Sequence, residues 1–369
     1  MARPYHDPKA CHRAARCMPN LETERVLTMI SRLLTRLTSR RVLNLALQGG
    51  GAHGAFTWGV LDALLEDGRF EFEGISGASA GAINATVLAD GLLRGGRAHA
   101  REALKHLWTR IAESALPGMA ESTATGMRLT PLARMALHWA QFLSPFQFNP
   151  LDVNPLRNVL HDLVDFKRLR QAARPRLFIA ATRADTGGLR VFGNGELTVD
   201  TLLASTCLPT LHRAVEIDGL PYWDGAFAAN PPLRGLIYGC NCRDTLLVQL
   251  APTNLGPAPL SANAIRMRML DLAFTSPLTR EFEQLAEARA FAASSFLDAG
   301  RLGRRLLRTR LHRIAAPELL EEHGSDSRLT VHLPFFEKLR DCGRETTFNW
   351  LRAEARSVGQ RSTLDPALP

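Results

Sequence analysis

The sequence predicts an α/β fold, in which a mainly parallel sheet carries helices on its faces. Two apolar runs, residues 42–48 (VLNLALQ) and 70–76 (FEFEGIS), have the composition of buried strands. Each run precedes a segment whose apolar residues recur at helical spacing. This strand–helix–strand–helix alternation is typical of parallel sheets. The chain has 369 residues, of which 46% are apolar, and this is enough for a large core.

Glycines separate the first predicted elements. The first strand stops at the three glycines of residues 49–51, and the helix that follows ends at Gly68. The second helix begins in AGAINATVLADGL, residues 80–92, directly after the second strand. Both loops therefore leave the carboxyl ends of strands, where parallel sheets place their functional sites.

Residues 98–172 are predicted to be mostly helical. Within them, Asn154 and Pro155 supply an N-cap and a first-turn proline for one helix. Residues 132–148 are rich in aromatic side chains at helical spacing. Such a stripe is usually core, but in a lipid-handling protein it would also suit the wall of an acyl-chain groove.

The rest of the chain mixes both kinds of element. We predict, in order, a hairpin around residues 185–188, a short helix near 198–206 and a buried strand at 245–252. Beyond residue 256 the pattern is mainly helical. Residues 302–314 have leucines at helical spacing, although 307–314 also fit an edge strand.

Positive charge concentrates near the start of the chain. Residues 1–41 hold nine Lys/Arg against three Asp/Glu, within a net charge of +9 for the whole chain. Leucines recur between these arginines and predict a basic amphipathic helix, which would lie on an anionic membrane surface or dock on the main domain. We therefore predict this segment, a main domain at 42–255 and a mainly helical extension at 256–369 packed on that domain.

Composition also narrows the class of protein. No apolar stretch reaches the roughly 20 residues that cross a bilayer. The six cysteines form neither paired metal knuckles nor a dense disulfide scaffold. They predict reduced thiols and a cytoplasmic location, with peripheral membrane contact as an addition. No metal, cofactor or nucleic-acid partner is predicted, and nothing indicates the oligomeric state.

Ser79 is the strongest candidate for a reactive side chain. It lies in Gly77-Ala78-Ser79-Ala80-Gly81, which fits the G-x-S-x-G pattern of a nucleophile elbow between a strand and a helix. The elbow brings backbone segments so close that glycine is needed on both sides of the serine. The helix that follows directs its N-terminal dipole at the anion formed in acyl transfer.

The glycine-rich loop before the first helix has two interpretations. Gly49, Gly51 and Gly54 satisfy the dinucleotide-binding pattern G-x-G-x-x-G. Alternatively, the N–H groups of Gly50 and Gly51 form an oxyanion hole for Ser79. A dinucleotide fold needs an acidic residue at the end of the second strand, and this strand runs into the serine turn instead, which favours the oxyanion hole.

Asp224 is the candidate base for the serine. The later histidines, His312, His323 and His332, do not lie in strand-end loops flanked by small residues. Asp224 follows a short aromatic run and precedes Gly225, so its carboxylate would project from a strand end. A partly buried carboxylate can take a serine proton directly, although Asp-Gly is also an ordinary turn.

These motifs together resemble the patatin-like phospholipase family. GGGAHG at 49–54, GASAG at 77–81 and DGA at 224–226 stand in the family's order, and residues 204–232 resemble the segment that leads into its Asp-Gly motif. The resemblance spans roughly residues 43–252. It implies a three-layer α/β/α sandwich, a Ser79–Asp224 dyad, an oxyanion hole at Gly49–Gly51 and no metal or cofactor.

The same resemblance implies the function and shows one departure. The family hydrolyses acyl esters of lipids, so we expect a lipid acyl hydrolase. A non-catalytic lipid- or partner-binding protein on the same fold is the alternative, and a nucleotide-dependent oxidoreductase is third. The family usually has Arg or Lys at the fifth position of the glycine motif. Here it is His53, and a neutral imidazole would weaken charge stabilisation there.

Overall fold

A mainly parallel sheet with helices on both faces organises the protein. The computed structural model describes residues 40–114, 120–123, 126–131, 135, 143–252, 254–294, 300–316 and 325–365. The predicted basic N-terminal helix lies outside these residues, and most of the aromatic stripe at 132–148 does too.

The first half of the chain contains most of the sheet. Its elements are β1 (Arg41–Leu47), α1 (Gly54–Asp67), β2 (Phe70–Gly77), α2 (Ala80–Glu113), β3 (Ala120–Thr123), β4 (Gly126–Leu129), α3 (Pro145–Phe148), α4 (Pro155–Leu163), α5 (Phe166–Gln171), β5 (Arg176–Arg183) and β6 (Leu189–Phe192).

The second half completes the sheet and adds long helices. Its elements are α6 (Val199–Ser205), β7 (Val215–Ile217), β8 (Leu220–Asp224), α7 (Arg234–Gly239), β9 (Asp244–Gln249), α8 (Ala262–Ser294), α9 (Gly300–Leu307), β10 (Arg310–Ala315) and α10 (Leu333–Ala353). Short 3₁₀ helices cover Gly51–His53, Asn194–Glu196, Gly225–Phe227, Ser325–Leu329 and Ala355–Ser357.

Strands β10, β9, β1, β2 and β5 pair in parallel, in that order. Strands β6 and β8 pair antiparallel with β5, and β7 extends β8. Ile179 and Ala181 of β5 both pair with β6 on one side. On the other side Ile179 pairs with Gly77 of β2, and Ala181 pairs with Asp224 of β8. The ends of β2 and β8 therefore meet along one side of β5.

Alternation along β1 explains the layers. Leu45 and Leu47 pack into a core with α1, α2 and α10, whereas Ala46 packs into a second core with α7, α8 and α9. Because both faces of the strand are covered, its buried residues Leu43–Leu47 are apolar except for Asn44, rather than alternating between apolar and polar. The predicted three-layer α/β/α sandwich is confirmed.

Most predicted elements near the site are confirmed. Asn154 caps α4 by accepting the Leu156 N–H, and β5 and β6 form the predicted hairpin. The sequence at 302–314 divides between helix α9 and strand β10, so the edge-strand alternative is right for its second half.

The segment 98–172, predicted to be mostly helical, also contains two short strands that were not predicted. Strands β3 and β4 form an antiparallel pair there. The Ala120–Thr123 strand is AEST, which contains no apolar run, so the strand signal is weak.

Candidate active site

Ser79 occupies a strained turn between β2 and α2. Its φ of 52° and ψ of −128° place a non-glycine residue at positive φ, outside the regions that L-residues usually adopt. It is the N-cap of α2 and is partly exposed, whereas Ala78 and Ala80 are buried. This is the geometry expected of a nucleophile elbow.

The glycines beside Ser79 permit this turn. A Cβ on Gly77 would lie 2.5 Å from the carbonyl carbon of Gly81, and a Cβ on Gly81 would overlap the carbonyl oxygen of Leu47 in β1. The turn therefore requires glycine at both positions. In addition, the Ser79 N–H donates to the backbone oxygen and to the hydroxyl of Ser205 at the end of α6, at 3.1 Å each.

Asp224 lies at the end of β8 and is 1% exposed. Its carboxylate accepts the Ala226 N–H at 2.8 Å, and the neighbouring Ser79 side chain lowers its pKa. Its backbone is also fixed, since its N–H donates to Cys207 O at 2.8 Å and its carbonyl accepts the Thr182 hydroxyl at 2.7 Å. The meeting of β2 and β8 on β5 thus brings together two residues that are 145 positions apart in the sequence.

Burial changes the acidity of this carboxyl group. Desolvation by burial raises the pKa of Asp224 to about 7, even though the Ala226 N–H and the Ser79 side chain reduce this shift. A carboxylate with a pKa near 7 is far more basic than an exposed one, so it can accept a hydroxyl proton near neutral pH.

The glycine loop lies directly against Ser79. A Cβ on Gly49 would lie 2.7 Å from the Cβ of Ser79, so this position too requires glycine. The Gly49 N–H donates to the Asn230 side-chain oxygen at 2.6 Å. This N–H is therefore not available to bind an oxyanion. Gly50 and Gly51 begin the 3₁₀ helix that leads into α1, where N–H groups lack intrahelical acceptors.

Three motif-supporting residues have mainly packing roles. His53 is buried, with its Nε2 2.8 Å from the Ser327 hydroxyl and its ring edge-on to Phe335. A Cβ on Gly54 would lie 2.7 Å from the Cβ of Ala80, and one on Gly225 would overlap Ala180 O. His53 thus links the glycine loop to a segment near residue 327, which sequence reasoning did not anticipate.

The histidines considered as bases lie elsewhere. His312 is fully buried in β10, where its Nε2 is 3.1 Å from Asp244. Asp244 lies at the amino end of β9, whereas Ser79 follows the carboxyl end of β2. His332 precedes α10 as its N-cap, and His323 lies outside the described residues. Among the hydrogen bonds described for Ser79 and Asp224, none involves an imidazole.

Among the residues that the structure describes, no group of three or more His, Cys, Asp or Glu side chains is arranged to hold a metal ion. None of the described helices combines the length and the apolar character needed to span a membrane.

Sequence reasoning missed Asn230 and Ser205. Both lie inside the stretch 204–232 that resembles the family segment, in AST and ANPP. Their residue types gave no chemical signal, because an amide or a hydroxyl becomes informative only when its partner is known. The partners are Gly49 and Ser79, which are more than 120 positions away.

The protein is therefore an α/β/α sandwich with a serine at a nucleophile elbow. A buried carboxylate and a glycine loop lie beside this serine, at the carboxyl ends of the parallel strands. The family model described as patatin-like phospholipase matches residues 45–237. The chain therefore belongs to the patatin-like phospholipase family, which comprises lipid acyl hydrolases.

No curated protein matches the sequence. Among solved structures, the crystal structure of VipD from Legionella pneumophila matches at 15% identity and a TM-score of 0.35, over 84% of this chain and 67% of that chain.

Proposed function

We propose that this protein hydrolyses carboxylic esters of lipids through a Ser79–Asp224 dyad. The observation that carries the proposal is that a strained serine and a buried carboxylate stand at the ends of β2 and β8, which meet on β5. The raised pKa makes Asp224 a suitable acceptor for the Ser79 proton.

The geometry supports a two-step reaction. Ser79 attacks the ester carbonyl while its proton passes to Asp224, and the alkoxide of the tetrahedral intermediate is stabilised by the N–H groups of Gly50 and Gly51. Asp224 returns the proton to the departing alcohol, which leaves an acyl-serine. Water then attacks the acyl group, again with Asp224 as the base, and releases the fatty acid. Gly49 shapes the loop, because its own N–H is bonded to Asn230.

The proposal extends to the setting of the enzyme. Its substrate class is lipid acyl esters, following family membership. The described cysteines, Cys207, Cys240, Cys242 and Cys342, are free thiols, which supports a reducing, cytoplasmic location. Contact with an anionic membrane through the basic residues 1–41 remains part of the proposal.

Removing either member of the dyad tests the mechanism. We expect Ser79→Ala and Asp224→Asn to lower kcat for p-nitrophenyl butyrate and for phospholipid vesicles by at least about 10³-fold. The measurement is initial rate with each substrate, together with labelling by a fluorophosphonate and peptide mapping to Ser79.

Two outcomes would contradict the proposal. Equal rates for the three proteins would falsify the dyad. Vesicle co-sedimentation without turnover or labelling by the wild type would instead support the alternative, a non-catalytic lipid-binding protein. Asp62→Asn is a suitable control, since Asp62 is a buried carboxylate of α1 that pairs with Arg101 and Arg344 rather than with a residue of the site.

A further inference from the structure

Asn230 uses its whole side-chain amide to hold the glycine loop. It is 1% exposed, and its oxygen accepts the Gly49 N–H at 2.6 Å. Its Nδ2 donates to the carbonyl of the same glycine at 3.4 Å and to the carbonyl of Phe274 in α8 at 3.0 Å. One amide therefore satisfies both backbone groups of Gly49 and connects them to a helix on one face of the sheet.

The bond to the Gly49 carbonyl has a consequence for the next residue. The C=O of Gly49 and the N–H of Gly50 belong to one planar trans peptide, in which they point in opposite directions. Fixing the carbonyl by Nδ2 therefore fixes the direction of the Gly50 N–H. A glycine pair without side chains is otherwise free to rotate these peptide planes.

Asn230 also lies in the same short segment as Asp224. The 3₁₀ helix Gly225–Phe227 follows Asp224, and the N–H groups of Ala228 and Ala229 both donate to Gly225 O. Asp224, the proposed base, and Asn230, whose amide contacts the glycine loop, are therefore only six positions apart, on a segment whose backbone is held by these hydrogen bonds.

We propose that Asn230 is a positioning residue that orients the Gly50 N–H toward the oxyanion. The inference rests on the proposed hydrolase function, because it assigns a purpose to the glycine loop of that same site. Asn230 does not touch the substrate. It acts through the peptide plane between Gly49 and Gly50, and couples that plane to the loop that carries the base.

A matched control lies in the interior strand β1. Asn44 in β1 is also 1% exposed, and its oxygen accepts the Gly74 N–H at 3.1 Å. Its Nδ2 donates to Cys242 O at 3.3 Å. Residue type and burial are the same, and this amide also accepts one backbone N–H and donates to a backbone carbonyl. Asn44, however, lies in the middle of β1, and its described partners do not belong to the glycine loop or to the Ser79–Asp224 pair.

The experiment compares Asn230→Ala and Asn44→Ala with the wild type. Each is assayed with soluble p-nitrophenyl butyrate for kcat and KM, with a fluorophosphonate for the labelling rate, and by thermal unfolding. We expect both variants to lose stability. Only Asn230→Ala should lose kcat, by about 10- to 100-fold with KM within about threefold, because full loss of one oxyanion donor costs about 10²–10³-fold.

The possible outcomes distinguish failure of the positioning role of Asn230 from failure of the proposed hydrolase function. If Asn230→Ala retains a kcat within about threefold of Asn44→Ala, or if only its KM changes, the positioning role is overturned while the hydrolase assignment stands. If the wild type neither turns over nor labels, the proposed function fails, and this inference with it. If Asn230→Ala does not fold, Asn230→Asp is judged by the same criteria, since it keeps the shape and the acceptor but loses the donor to Gly49 O.

Discussion

The Asp224 side chain shows how burial creates reactivity. Full burial raises the pKa of this carboxyl group to about 7, and the Ala226 N–H and the Ser79 side chain reduce this shift without cancelling it. Asp244 is buried as well, and burial also raises its pKa. The donors around it, His312, Arg310 and the Gly359 N–H, outweigh burial and hold that pKa below the usual range. Two buried aspartates therefore have opposite chemistry.

Activity should depend on the charge of Asp224. Only the deprotonated carboxylate can accept the Ser79 proton, so we expect kcat/KM for a soluble ester to rise with pH and to be half-maximal near pH 7. A pH–rate profile between pH 4.5 and 9 measures this. A profile that is flat across neutral pH would contradict the raised pKa.

Stability should depend on pH with a defined sign. The pKa of Asp224 is higher in the folded protein than the ordinary 3.8, so folding is favoured by proton uptake at low pH, and this contribution is lost as pH rises to about 7. We expect Asp224→Asn to melt several degrees above the wild type at pH 8, with the difference vanishing near pH 4. Thermal unfolding monitored by circular dichroism measures this.

Asp244→Asn is the control for that prediction, because its sign is reversed. The lowered pKa of Asp244 stabilises the fold above its ordinary pKa of 3.8. This variant should therefore melt below the wild type at pH 8. If both variants shift the melting temperature in the same direction, the assignment of the two pKa shifts is wrong.

Among the helices, α1 and α10 pack at their closest through two glycines. A Cβ on Gly59 of α1 would overlap the carbonyl oxygen of Arg340, and one on Gly343 of α10 would overlap that of Phe56. The two backbones are thus in direct contact. Since α1 begins at Gly54, immediately after the glycine loop, the contact with α10 also supports the element that positions that loop.

Adding one methyl group at this contact should separate the helices. We expect Gly343→Ala to lower the free energy of unfolding by about 1–3 kcal/mol, the usual cost of overpacking a tight core. Urea unfolding at pH 7 measures the change. Gly195→Ala is the control, because Gly195 is exposed and an added Cβ there meets nothing within 4 Å, so its change should stay within about 0.5 kcal/mol. If Gly343→Ala and Gly195→Ala changed the free energy of unfolding equally, the backbones of α1 and α10 would not be in tight contact.

Considered as a whole, the fold extends beyond the region that defines the family. The family model ends at residue 237, but β9 and β10 add two parallel strands to the same sheet. The apolar face of α10 contributes Phe336 and Trp350 to the main core. The glycine loop is also tied to the later chain through His53 and Ser327.

A truncation tests whether the predicted boundary near residue 255 divides independent parts. We expect the fragment 40–255 to be insoluble or to lack cooperative unfolding. Removing α10 takes Phe336 and Trp350 out of the main core and exposes the apolar surface that they cover. The fragment 40–369 is the control, since it keeps every described element, and it should unfold cooperatively. Soluble expression and circular dichroism measure both. A soluble, cooperatively folding 40–255 would show that the main domain is autonomous.

Local patterns predicted most of the elements near the site and singled out Ser79 and Asp224 as the candidate reactive residues. Glycine spacing around Ser79, the glycine triplet after β1 and the Asp-Gly turn after β8 are signals of backbone geometry, and such geometry depends on neighbouring residues. For the same reason the apolar runs predicted β1, β2 and α1 to within a few residues. The weakly patterned β3 and β4 escaped prediction because neither contains an apolar run.

The contacts between distant segments could be learned only from the folded chain. The sequence says that Ser79 and Asp224 are suited to a dyad, but their meeting depends on β2 and β8 ending side by side on β5. The raised pKa of Asp224, the amide of Asn230 on Gly49 and the bond between His53 and Ser327 likewise depend on burial and register. These are properties of long-range packing, and no pattern of neighbouring residues encodes them.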